Sequence, residues 1–241
     1  MLLKNLNLQK VLFLDIETVS GVSQFSELSE EWQKLYADKT KWQRKDEYSP
    51  EEFYAKQAGI YAEFGKIICI SCGFLRQSGS QTEFHVKSFY GDDEKILLQE
   101  FADIVTQHFN TPYHLLCGHN AKEFDFPYIG RRMLINGIQI PDTLNLAGKK
   151  PWEVQHLDTM ELWKFGDYKH YTSLKLLAAL FGIPTPKDDI DGSQVGSVYY
   201  NDNDLERIRI YCEKDTLTVA QLLLKYQGLP LITDNNIITS K

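Results

Sequence analysis

The apolar run Val11-Leu12-Phe13-Leu14 ends in Asp15-Ile16-Glu17-Thr18, and no other stretch constrains the fold of this 241-residue chain as tightly. An unbroken run of that composition predicts a central strand covered on both faces. Side chains alternate along a strand, so Asp15 and Glu17 fall on one face while Leu14 and Ile16 point to the other. Two carboxylates side by side at the end of a buried strand repel each other and lose hydration, unless a cation sits between them. The plainer alternative is that the strand simply reaches water there. The pair therefore carries meaning only if matching carboxylates occur elsewhere.

Hydrophobic residues make up 43% of the chain and aromatic residues 12%, enough for one substantial core, and a single domain over residues 1–241 is expected. The formal net charge of -7 argues against a protein that grips nucleic acid by a broad basic surface. It leaves open one that meets nucleic acid locally, through metal ions. The apolar run near the N-terminus is too short to span a membrane and no small-residue cleavage site follows it, so no membrane partner is expected. Cys69 and Cys72 form a Cys-x-x-Cys, but no second pair completes a zinc site. With Cys117 and Cys212 they read as buried free thiols of a reducing, cytoplasmic protein.

Residues 19–64 are polar and dotted with aromatics, with Leu28, Trp32, Leu35 and Tyr36 at helical spacing and a helix start at Ser49-Pro50-Glu51-Glu52. This predicts a helical insertion, with Trp32 and Phe53 packing on the body. Residues 66–75 and 82–90 predict two strands around a Gly-containing turn, giving a three-strand antiparallel meander with the first strand. Gly91-Asp92-Asp93-Glu94 caps a helix to about residue 109, residues 113–117 form a short strand, and a helix covers about 125–136. Thr172 caps a helix through Phe181, and Asp202 or Asn203 opens a long helix to Tyr226. The polar tail from about residue 228 is expected to be loosely held. The sum is an α/β layer: a mixed five-stranded sheet, the meander plus parallel strands, with helices on both faces.

Two further acidic groups match the first. Gly118-His119-Asn120-Ala121-Lys122-Glu123-Phe124-Asp125-Phe126-Pro127-Tyr128 follows a predicted strand, where α/β sheets build their sites. Asp125 alone also suits a helix cap. Tyr211-Cys212-Glu213-Lys214-Asp215 lies on the last helix, where a spacing of four stacks Tyr211 and Asp215 on one face.

In this order the three groups resemble the exonuclease motifs of the DEDD superfamily of 3′–5′ exonucleases, in its Tyr-containing branch, and above all the proofreading domain of family-B DNA polymerases. The second motif of that domain, Gly-x-Asn-x-x-x-Phe-Asp-x-Pro-Tyr, is matched at Gly118, Asn120, Phe124, Asp125, Pro127 and Tyr128, and the third, Tyr-Cys-x-x-Asp, at Tyr211, Cys212 and Asp215. The likeness is to the standalone bacterial form, in which no polymerase domain follows.

The resemblance implies a ribonuclease H-like fold and a nuclease with two divalent ions, Mg²⁺ or Mn²⁺. Asp15, Glu17 and Asp215 would hold the ion that activates water, Asp15 would also reach the second ion, and Asp125 would meet that one directly or through water. Tyr211 would hydrogen-bond the attacking water, either orienting it or taking its proton. Leu14, Thr18 and Asn120 lie where family members touch the terminal nucleotide, and Phe124 or Phe126 could stack on a base. Asp158, in His156-Leu157-Asp158-Thr159, is similar to an acidic residue near the relatives' site and equally suits a helix cap. Lys149, Lys150, Lys164, Lys169 and Lys175 would track the strand or simply face solvent. The implied substrate is the 3′ end of single-stranded DNA, with nucleoside 5′-monophosphates released and DNA replication or repair proteins as partners. An exoribonuclease and a catalytically silent nucleic-acid-binding scaffold of the same fold remain the alternatives.

Overall fold

The computed structural model describes residues 6–45, 47–167, 171–184 and 190–240. Its strands are β1 (Val11–Ser20), β2 (Gly65–Ser78), β3 (Gln81–Tyr90), β4 (Leu115–Gly118), β5 (Leu157–Asp158) and β6 (Ile237–Ser240). They form one mixed sheet in the order β5-β4-β1-β2-β3-β6. β1, β2 and β3 make the expected antiparallel meander, and β4, β5 and β6 pair in parallel. The sequence reading counts five strands. It places four of them: the two-residue β5 reads only as a turn or cap, and β6, in the stretch expected to be loose, is short, largely exposed and carries only two apolar residues, so no core-facing run announces either. Two hydrogen bonds between the Gln221 amide and the backbone of Ile232 tie that stretch back to the body.

The helices are α1 (Glu30–Arg44), α2 (Pro50–Gln57), α3 (Glu94–His108), α4 (Asp125–Ile135), α5 (Thr159–Lys164), α6 (Leu174–Leu180), the short α7 (Val195–Ser197) and α8 (Leu205–Tyr226). Alternation along β1 divides them between the faces. Leu12, Leu14 and Ile16 pack with Leu98, Phe101, Ile129 and Met133 of α3 and α4. Val11 and Phe13 pack with Val219, Ala220 and Leu223 of α8, and α6 covers the outside of α8 through Leu177 and Leu222. β1 is thus covered on both faces, as its composition requires. Among the described residues, no helix is long and apolar enough to cross a membrane, and all four cysteines are free and buried.

The helical insertion has a small core of its own, Tyr36, Phe53, Tyr54, Ala58 and Phe64. Phe53 belongs to that core, and Trp32 meets Phe64 edge-on while staying 45% exposed, so neither packs on the main body as the sequence suggested. The insertion is fastened to the body at its C-terminal end. Arg132 of α4 donates to Ala62 O at 2.8 Å and forms a buried pair with Glu94, which also accepts from Ile67 N and the Asn136 amide. Every oxygen of that carboxylate is used, the condition under which a buried ion pair is tolerated. Tyr128 donates to Gly59 O at 2.7 Å. At Gly65 an added Cβ would lie 2.3 Å from the Tyr128 hydroxyl and under 3 Å from two carbonyl oxygens. Only glycine admits that approach.

Candidate active site

β4 pairs with β1 only from Val11 to Phe13, so the following part of β1 is released from its parallel neighbour. The Asp125 carboxylate takes up a freed donor there, accepting from Ile16 N–H as well as from its own backbone N–H. On the other side of β1 the register against β2 shifts between Glu17 and Thr18, leaving Ile68 as an extra residue in β2. A bulge of this kind re-aims side chains at a strand end.

Asp15 and Glu17 share a face, and the one they share belongs to α8. Their carboxylates and the Cys212 thiol lie within 4.8 Å of one another. The thiol donates to Asp15 O at 3.4 Å and to Asp15 Oδ2 at 3.5 Å. One turn on, Thr216 caps Cys212 O and reaches Ser71 O of β2, which holds α8 in register on the sheet. Asp215 and Asp125 are close enough to act on both Asp15 and Glu17, and Tyr211 is hydrogen-bonded to Asp215. The four carboxylates and the tyrosine of the sequence reading are therefore brought together.

Burial first, and then mutual repulsion, pushes Asp15 and Glu17 well above the ordinary carboxylate range. Burial pushes Asp125 up to about 7. Tyr211 is raised far above the usual phenol range by burial and then by Asp215, Glu17 and Asp15, so it keeps its proton. A site in which buried carboxylates hold one another in the wrong protonation state is one that cations relieve. All-oxygen donors from Asp15, Glu17, Asp125 and Asp215 suit hard divalent ions such as Mg²⁺ or Mn²⁺; the neighbouring thiol, raised well above its usual value chiefly by burial, stays protonated beside them.

The substrate-contact expectations divide. Phe126 is fully buried against His156 and Phe124 packs on Tyr128, so the core takes Phe126 entirely and one face of Phe124. Leu14 is likewise fully buried, leaving only its backbone for a ligand. Thr18 is partly exposed and donates to the Tyr128 hydroxyl. Asn120 is partly exposed and adopts the left-handed conformation, φ 61°. Of the lysines, Lys149 acts on His156, Lys150 lies over the Trp152 ring, Lys164 is partly buried, Lys175 acts on Asp191, and Lys169 lies outside the described residues.

Asp158 proves to be a cap, and more. Its Oδ1 accepts from Met160 N and Glu161 N at the start of α5 and from Asn120 N across the sheet edge, and Oδ2 accepts from Lys122 N. One 3%-exposed carboxylate thus joins α5 to the turn that precedes Asp125. Beside it, His119 Nε2 lies 2.9 Å from Thr172 O and Nδ1 lies 2.9 Å from Thr159 Oγ1. A carbonyl only accepts, so the proton sits on Nε2, and burial holds the ring neutral. Sequence reasoning missed this brace and the thiol at Asp15. The His119 position inside the second motif and Cys212 inside the third were the available signals.

A family model described as a predicted 3′–5′ exonuclease related to the exonuclease domain of PolB matches residues 60–235. The match covers Asp125, Tyr211 and Asp215, with Asp15 and Glu17 lying N-terminal to it. No curated protein matches the chain.

Proposed function

Since the chain belongs to this family of predicted 3′–5′ exonucleases, we propose that it hydrolyses the 3′-terminal phosphodiester of single-stranded DNA and releases nucleoside 5′-monophosphates. The observation that carries the reading is the convergence of Asp15, Glu17, Asp125 and Asp215 on one buried locus with Tyr211 bonded to Asp215. Asp15, Glu17 and Asp215 would hold one divalent ion, and Asp15 with Asp125 a second. Two such ions supply the activated water and stabilise the attacking and leaving oxygens of an in-line displacement. Four carboxylates and two dications sum to about zero, so the loaded site no longer repels a phosphodiester.

The remaining work falls to the chain. Tyr211, holding its proton, serves as a donor that orients the water rather than as the base that deprotonates it. The Cys212 thiol and the Ile16 N–H fix Asp15 on its strand and Asp125 at the start of α4. Thr18, next to Glu17 in β1, and Asn120, in the turn before Asp125, are polar residues that keep exposed surface.

The test is to incubate 5′-labelled single-stranded DNA and RNA with Mg²⁺ or Mn²⁺ and the wild type, Asp15→Ala and Asp215→Ala. A ladder shortening from the 3′ end of DNA and lost in both variants supports the reading. Shortening of RNA alone moves the substrate to RNA. Intact polymers that the protein nonetheless retains in a binding assay would make it a scaffold.

A further inference from the structure

An exonuclease must grip a terminal nucleotide that has no neighbour beyond it, and a flat aromatic face is the sequence-tolerant way to do so, because every base has a π-face. The two aromatics flanking Asp125 do not offer one freely, since Phe126 is enclosed and Phe124 packs on Tyr128. A third aromatic does. Tyr171 is 68% exposed, in the connection between α5 and α6. The backbone beside it is anchored: His119 Nε2–H donates to Thr172 O at 2.9 Å, and Ser173 Oγ caps α6 by accepting from Leu176 N at 3.3 Å. His119 is the residue between Gly118 at the end of β4 and Asn120 at the rim of the site, so the brace sets Tyr171 against that rim. The fields of Asp125 and then Asp158 reach its hydroxyl, which is raised above the phenol range by burial first and by these two carboxylates next. An exposed ring on a backbone held from within loses little freedom when it meets a ligand.

From this geometry we infer that Tyr171 is a substrate-contact residue whose ring stacks on a nucleobase at the 3′ end of the strand. The inference rests on the exonuclease reading above and adds to it the group that holds the base. Stacking acts on substrate and transition state alike, so its loss raises KM and leaves kcat in place.

The experiment compares wild type, Tyr171→Phe and Tyr171→Ala on single-stranded DNA carrying a 3′-terminal 2-aminopurine, following hydrolysis in Mg²⁺ and the quenching of the base on binding in Ca²⁺. The expected result is a rise in KM of about tenfold for Tyr171→Ala with kcat unchanged, loss of the quenching, and wild-type behaviour in Tyr171→Phe, which keeps the ring. Equal loss in both variants would assign the contact to the hydroxyl and overturn stacking. Unchanged KM and quenching in Tyr171→Ala, with wild type shortening the DNA normally, would overturn the assignment of Tyr171 alone. Failure of the wild type to shorten DNA would instead strike the function on which it rests.

Discussion

The Cys212 thiol stands 3.5 Å from Oδ2 of Asp15, so α8 touches β1 at the carboxylate with which the site begins. Cys212→Ser, which keeps a donor, is expected to retain activity. Cys212→Ala should lose about 1 to 2 kcal/mol of stability from the vacated space and the missing hydrogen bond, and should need several-fold more Mn²⁺ for half-maximal activity. Thermal melts and Mn²⁺ titrations check both. Identical Mn²⁺ requirements in all three proteins would mean that the thiol packs without positioning Asp15.

Asp15 is held up by burial, then by Glu17, Asp125 and Asp215. Removing its charge relieves a strain that the function needs. Asp15→Asn should lower hydrolysis by about a thousandfold or more and at the same time raise the melting temperature of the metal-free protein at pH 8. A variant that is both inactive and less stable would show that the carboxylates do not oppose folding.

The same strain makes stability depend on pH and metal together. Asp125 titrates at about 7 when folded and near 4 when unfolded. Between those values the folded state holds more protons, so this group's contribution, full below about 4, is lost as pH rises through about 7. His156 works the other way. Its Nδ1 accepts from Leu116 N and its Nε2 donates to Thr143 O, and burial depresses it to about 4, so its contribution is full above about 6.5 and lost as pH falls towards 4. Subtracting the Asp125→Asn stability profile from that of the wild type isolates the first effect. Mg²⁺ should raise the wild-type melting temperature more at pH 8 than at pH 5, because protons compete for the ligands. A metal effect independent of pH would contradict this.

Gly65→Ala drives a methyl group into the Tyr128 hydroxyl and the carbonyls of Gly59 and Val19. Two of the three obstacles are backbone and cannot swing aside. A loss of about 3 kcal/mol is expected, read as a lower denaturant midpoint. The insertion should also open to limited proteolysis within residues 19–64. Unchanged protection there would mean that the Glu94–Arg132 pair fastens the insertion alone.

Much of the architecture was written in local patterns. The apolar run of β1, the Asp93 cap of α3 and the amphipathic α8 all announce themselves within a few residues, and the three acidic motifs carry the site because their spacing follows from strand and helix periods. What could not be read is what depends on partners distant in sequence. Cys212 looks like any buried thiol until Asp15 is seen beside it. Phe126 sits next to a candidate ligand, yet α4 turns it inwards against His156. The caps at Ser173 and Asp204 fall one to two residues beyond the predicted starts, because several Ser, Thr, Asp and Asn residues compete at each helix entry and tertiary packing chooses among them. β6 is a strand only because β3 offers it an edge.

The hub at Asp158 has a consequence for how this chain can vary. All four of its donors are main-chain N–H groups, of Asn120, Lys122, Met160 and Glu161, so the brace is indifferent to the side chains it holds. The side chains of Lys122 and Glu161 pair with each other and not with Asp158, so exchanging that pair leaves all four donors in place, and the left-handed backbone at Asn120 would take glycine at the cost of its amide beside the site. Proline at 122, 160 or 161 would delete a donor outright. The carboxylate itself has no substitute that accepts on both oxygens at the same reach. Change in the side chains of Lys122 and Glu161 should therefore leave the brace standing, while Asp158 itself should be nearly frozen.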